Sequence, residues 1–318
     1  MSKKPAMLRL TMFAAITITL SLAISSWSES ALGQPPAAKG VRDETLSAEG
    51  WPIHTTYYES AGGKESPAVI LLAGAEGPDK KDARNRRVWK DTALALQKSG
   101  FAVIAVDLRK HGDSIPPANV GETSSIKMVP NDYFLMANVD LEAVKDFLLE
   151  EHKREKLNIR KTGIVAVGSS AMVAAAFASA DWAKSPYPDG PTLDSRTPRG
   201  QDIRSLIMYS PNTNVKGLNY SAIMRSLNVV QIAIHIVASK DVKEDFRNAE
   251  RIFKAIEIKD GQYKDARKLT TAAGEITAEG FLEGRFADPT NKDITEFLTK
   301  SLTELDMPWA SRVSRLVD

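Results

Sequence analysis

The chain contains no cysteine in 318 residues, which excludes disulfides, thiolate nucleophiles and thiolate-held metal. Histidine is also scarce. There are four, at His54, His111, His152 and His235, so no imidazole is available after His235. Charge of one sign is missing as well, with 42 Lys and Arg against 40 Asp and Glu and a formal charge of +2. That balance gives no electrostatic footing for nucleic acid or an anionic membrane surface. There is no GxGxxG dinucleotide fingerprint and no Walker loop, because "GIVAVGSSA" lacks the glycines either would need. No cofactor is expected. Asp107, His111 and Asp113 are close in sequence, but no second cluster completes a coordination sphere, so no metal is expected.

The sequence has no stretch apolar enough to span a membrane apart from one at the N-terminus. Lys3, Lys4 and Arg9 precede an uncharged stretch from Leu10 to Trp27, the form of an export signal. Ala31 and Gly33 are the small residues a signal peptidase reads, which predicts cleavage before Gln34, a leader over 1–33 and a mature domain over 34–318. The expected location is periplasmic or extracellular. An uncleaved anchor over residues 10–27 is the alternative; its threonines and serines dilute it below an ordinary spanning helix. Loss of Lys3, Lys4, Arg9 and Glu29 with the leader brings the formal charge to zero. About 285 residues remain, enough for one large core without disulfides.

What is present is alternation. After two short strands between Gly40 and Gly63, "PAVILLAGAEG" is an aliphatic run into a glycine-containing loop, as in a strand buried on both faces of a parallel sheet. A helix around 88–98 follows, then "GFAVIAVDLRKHGDS" repeats the pattern. A long amphipathic helix is predicted from Asn131 to Lys156, a strand over 163–167, and a helix from Ala171. A Pro/Gly/Asp-rich loop over 184–202 reads as a solvated insertion, and the mixed-sign cluster at 79–87 as solvated surface or a lid. Strands "SLIMYSP", "AIHIVAS" and "ARKLTTA" then alternate with helices near 220–227, 243–257 and 291–305. Repeated strand–helix crossovers predict an α/β fold: a mostly parallel sheet with helices on both faces.

In such sheets sites form at the carboxyl ends of the strands, here "AGAEG", "LRKHGDS", "GSSAM", "SPNTN" and "SKDVKED". In their order, these motifs resemble the α/β-hydrolase superfamily, and within it the dienelactone-hydrolase and small serine-esterase branch, over nearly all the mature chain. The resemblance implies a serine hydrolase of small carboxylic esters or lactones. Against the G-x-S-x-G elbow, Gly168 and Ser170 match and Met172 replaces the second glycine. A serine there equally suits the cap of the helix that follows. The resemblance places the acid at Asp241 and an oxyanion hole at the N–H groups of Ala75 and Ala171, with Ala73 where the family has histidine.

The base is missing. A serine hydroxyl needs a neighbouring imidazole to take its proton, yet the region after the last strand reads "KLTTAAGEITAEGFLEG". Substitute bases are Glu275 and Glu279 in that loop, or His111 at the same sheet edge. Loss of the base alone costs on the order of 10⁶ in turnover in a fully dissected triad. Three functions follow: a non-hydrolytic relative whose pocket binds a small-molecule ligand or partner, a working hydrolase using Ser170 with an unorthodox base, and an interaction module presenting residues 184–202. The departures at Ala73, at Met172 and at the histidine all favour the first. Nothing in the sequence sets the oligomeric state.

Overall fold

The structure, a computed structural model, describes residues 40–76, 85–115, 127–258 and 264–316. The predicted leader and residues 79–84 of the mixed-sign cluster lie outside them. Residues 38–318 cluster as one compact unit. No helix among the described residues is long and apolar enough to cross a membrane.

Eight strands form one sheet: β1 (Val41–Ala48), β2 (Trp51–Tyr58), β3 (Pro67–Leu72), β4 (Ala102–Val106), β5 (Asn158–Val167), β6 (Ile203–Tyr209), β7 (Ala233–Ser239) and β8 (Arg267–Ala272). Their order is β1-β2-β4-β3-β5-β6-β7-β8. The β1–β2 hairpin pairs antiparallel within itself and with β4, and all remaining pairs are parallel. The helices are α1 (Lys90–Lys98), α2 (Pro130–Leu135), α3 (Leu141–Lys153), α4 (Ser170–Ala183), α5 (Tyr220–Val229), α6 (Lys243–Ile256) and α7 (Ala287–Leu298).

The aliphatic runs are buried on both faces because alternate residues serve two cores. Ile70, Leu72, Ile104 and Ile164 join one with α3, α4, α5 and α6. Val69, Leu71, Val103 and Val165 join the other with Trp89, Leu96, Ile294 and Leu298 from around α1 and α7. The expected fold class is therefore the observed one.

Three details depart from expectation. Strand β5 begins five residues before the predicted 163, at Asn158. Its polar start is held from outside, with Asn158 N–H donating to Ser66 O at 2.8 Å and Asn158 Nδ2 to Met307 O at 2.9 Å. The long helix is interrupted by a π-turn at Met136–Asp140, whose Asp140 carboxylate takes the Arg109 guanidinium. Arg86, expected on solvated surface, is buried with Asp107 and ion-paired to Asp113 at 2.7 Å. An arginine can be buried this way because carboxylates on the loop after β4 meet its fixed fork of donors.

Candidate functional site

The strand-to-helix turn after β5 sets the geometry. The strand ends at Val167, helix α4 starts at Ser170, and the residue that turns the chain is Gly168, in the left-handed region at φ 58°. In the hydrolase elbow, that strained residue carries the nucleophile. Here it has no side chain. Its N–H donates to Tyr209 O at 2.9 Å and its carbonyl accepts from Asn212 N–H at 3.2 Å, so both sides of the turn are fixed to β6 and the loop beyond it.

This moves the elbow two residues back from the motif as spelled in the sequence. Ser170 occupies the place after the turn where the motif calls for a small residue, and Met172 lies within α4, fully buried in the larger core. The Ser170 hydroxyl is fully buried and donates at 2.7 Å to Val167 O, with Leu72 O at 3.3 Å. No hydrogen bond among the described residues joins it to Asp241, Glu275, Glu279 or His111. The shift was legible in principle: the apolar run stops at Val167, so the first residue past the strand is Gly168.

The hole amides also differ from those anticipated. Ala171 N–H points back to Gly168 O at 3.3 Å as part of the helix start, and Ala75 is buried in the larger core. The residue after the turn is Ser169, and its N–H donates at 2.5 Å to Glu76 Oε1. Across from it, Gly74 N–H, on the loop after β3, donates at 2.7 Å to Glu279 Oε1. These are the two positions from which an α/β-hydrolase draws its oxyanion-hole donors. Both donors are occupied by carboxylates of the chain itself.

A side chain at either glycine would displace these carboxylates. A Cβ on Gly168 would overlap the Glu76 carboxylate, and one on Gly74 would lie 2.5 Å from Glu76 Oε2 and 2.6 Å from Glu279 Oε1. The two carboxylates therefore converge on the same backbone. Sequence reasoning missed Glu76 entirely, although it stands within "AGAEG" after β3. Glu279, expected as a substitute base, is buried in a 3-10 turn (Ala278–Leu282), and it reaches an amide, not a serine hydroxyl.

The acid and base positions complete the picture. Asp241 is exposed beyond β7, and its Oδ2 accepts from Gly274 N–H at 2.5 Å on the loop after β8, where a triad would place an imidazole. The Ser239 hydroxyl donates to Gly274 O, which ties the same two loops. Glu275 is exposed. His111 is buried in the loop after β4, with Nδ1 2.9 Å from Arg109 O. His152 and His235 are both fully buried, the first against Leu157 and Ala310 carbonyls and the second against Thr270 Oγ1 at 2.9 Å; burial lowers the pKa of each. His54 sits on β2 beside Thr45.

Above Ser169 and Glu76 lies a cavity of about 290 Å³, bounded further by Tyr133, Asn212, Asn214 and Lys216. Asn212 Nδ2 donates to Ser169 Oγ at 3.1 Å, holding the cavity floor. Among the described residues no group of three or more His, Asp or Glu side chains could hold a metal ion.

The sequence matches no protein-family model, and comparison with curated proteins finds no relative. Solved structures do share the fold. A dienelactone hydrolase from Anabaena variabilis is 12% identical, aligned over 83% of this chain and 99% of its own, with a TM-score of 0.56. A cold-adapted esterase from an Arctic intertidal metagenomic library is 15% identical over 85% and 98%, with a TM-score of 0.53. An esterase from Pyrococcus furiosus is 14% identical over 82% and 90%, with a TM-score of 0.52. With the sheet order and the strand-to-helix turn after β5, these similarities show that the chain has the α/β-hydrolase fold.

Proposed function

We propose that this chain is an exported, non-hydrolytic member of the α/β-hydrolase fold that uses the cavity over Ser169 to bind a small ligand. The observation that carries this reading is the Glu76 carboxylate on Ser169 N–H, beside a glycine at the nucleophile's place. An oxyanion hole works by presenting donors to charge that develops in the transition state. A resident carboxylate satisfies that donor in the ground state and opposes a second negative charge at the same point. Catalysis by differential binding then has nothing left to gain.

The hydrolase reading needs an activated serine. Ser170 is engaged with two backbone carbonyls, and Ser169 Oγ accepts from an amide; among the described residues neither meets a base. A cavity with Tyr133, Asn212, Asn214 and Glu76 at its walls is instead equipped to orient a bound polar molecule. Export rests on the leader, and N-terminal sequencing of the mature protein should begin at Gln34.

The direct test uses residues 34–318 with 4-nitrophenyl acetate and a fluorophosphonate probe, beside Ser169→Ala and Ser170→Ala. Hydrolysis at the buffer rate and no labelling in all three proteins is the expected result. Turnover and labelling lost in either variant would establish an activated serine and overturn the proposal.

A further inference from the structure

A second, larger cavity of about 530 Å³ lies between the loop after β6 and helix α6. It adjoins the first, since Asn214 and Val215 line both. Its polar wall is one face of α6: Glu244, Arg247, Asn248 and Arg251 are spaced three and four residues apart and point the same way. Its apolar wall is Val215, Leu218 and the ring of Tyr220.

The charge arrangement on α6 is uneven. Lys254 pairs with Glu250 one turn earlier at 2.9 Å. Arg247 and Arg251 have no ion pair among the described residues, although Glu250 is within a turn of both and Glu244 within a turn of Arg247. The Arg251 guanidinium is nonetheless positioned. Arg251 lies 4.4 Å over the Tyr220 ring, whose hydroxyl donates to Arg251 O at 3.1 Å, and Thr213 Oγ1 donates to Asn248 Oδ1 at 2.9 Å, fastening the loop to the helix. Two planar forks one helical turn apart, facing a concave apolar wall, match a carboxylate attached to an apolar body.

We propose that this cavity is a binding site for a small organic carboxylate, with the acid held between Arg247 and Arg251 and the apolar body against Leu218, Val215 and Tyr220. The site is distinct from the plugged elbow. It stands whether or not the chain hydrolyses esters.

Binding of 1-naphthoate to residues 34–318 should be measured by titration calorimetry, beside the uncharged 1-naphthamide and the bodiless acetate. A Kd for naphthoate below about 1 mM, at least about tenfold tighter than either comparison probe, is expected. The double variant Arg247→Gln/Arg251→Gln should weaken naphthoate binding at least about tenfold, while Arg225→Gln, exposed on α5, should not change it. Both substituted residues of the double variant are exposed on α6, and an unchanged melting temperature confirms that folding is intact. Equal affinity for acid and amide, equal affinity for naphthoate and acetate, or an equal loss in Arg225→Gln would each overturn the site. The esterase assay does not bear on these outcomes, so failure here is separable from failure of the non-hydrolytic reading.

Discussion

Gly168 and Glu76 depend on each other. A side chain at Gly168 would adopt a left-handed φ of 58° and overlap the carboxylate. Gly168→Ala should therefore cost about 2 kcal/mol in urea unfolding. Adding Glu76→Ala should recover the part due to overlap and leave about 1 kcal/mol for the backbone, so a double-mutant cycle separates the two. His235 gives a pH prediction at the same scale. Burial pushes its pKa down to about 4, against the opposing pull of Asp293. The folded state thus holds this imidazole neutral, while the unfolded chain takes up a proton near pH 6.5. Stability that is full above pH 6.5 is lost as pH falls toward 4, by up to about 3 kcal/mol from this group. Between pH 7 and 4 the urea midpoint should fall less in His235→Gln than in the wild type.

The π-turn at Met136–Asp140 shows how one element is bent to serve another. Helical periodicity predicts a continuous helix over this region, and the apolar face of α3 does follow that period through Leu141, Val144 and Leu148. The extra residue in the turn accompanies the placement of Asp140 against Arg109 Nε at 3.0 Å, with Arg109 N–H also donating to it at 3.1 Å. Asp140 is fully buried, and burial raises its pKa despite the arginine. Replacing it with Asn leaves a buried guanidinium without its counter-charge. Asp140→Asn should lose about 3 kcal/mol, read as a lower thermal midpoint with the loop after β4 becoming more protease-sensitive. The same kind of cross-element demand accounts for the early start of β5, where polar residues become strand because the C-terminal segment supplies their partners.

Across the whole molecule, the C-terminal residues hold the sheet at the edge away from the site. Arg312 grips Asp202 with two bonds of 2.7 and 2.8 Å, Asp202 also meets Lys145 at 2.8 Å, and Lys145 bonds Asp181. Ala310 O lies 3.0 Å from His152 Nε2 with the Trp309 ring tilted against the imidazole, and Asp189 in the loop over 184–202 accepts from the Ser314 hydroxyl. That loop is largely exposed, as its composition suggests, yet it is tied down by the last residues of the chain. Arg312→Ala removes one cation from a buried network and should cost about 3 kcal/mol in chemical unfolding. It should leave naphthoate binding unchanged, because the network and the second cavity share no residue.

The fold was open to reading because buried parallel strands are aliphatic and their crossovers are amphipathic, both local properties of the chain. The order "PAVILL", "AVIAV", "GIVAV", "SLIMY" and "AIHIVAS" therefore specifies an α/β sheet with sites at its carboxyl edge. The absence of an imidazole after β8 was equally plain, since a missing residue type needs no structure to be seen. The motif spelling, in contrast, selected Ser170, while the end of β5 assigns the turn to Gly168. That end was itself legible in the apolar run, and the pairing with β6 reaches the same Val167. The union of Glu76 with Ser169 N–H, and of Glu279 with Gly74 N–H across 205 residues of chain, is a tertiary fact. No local pattern records it, because a carboxylate's partner is set by where the loops meet in space.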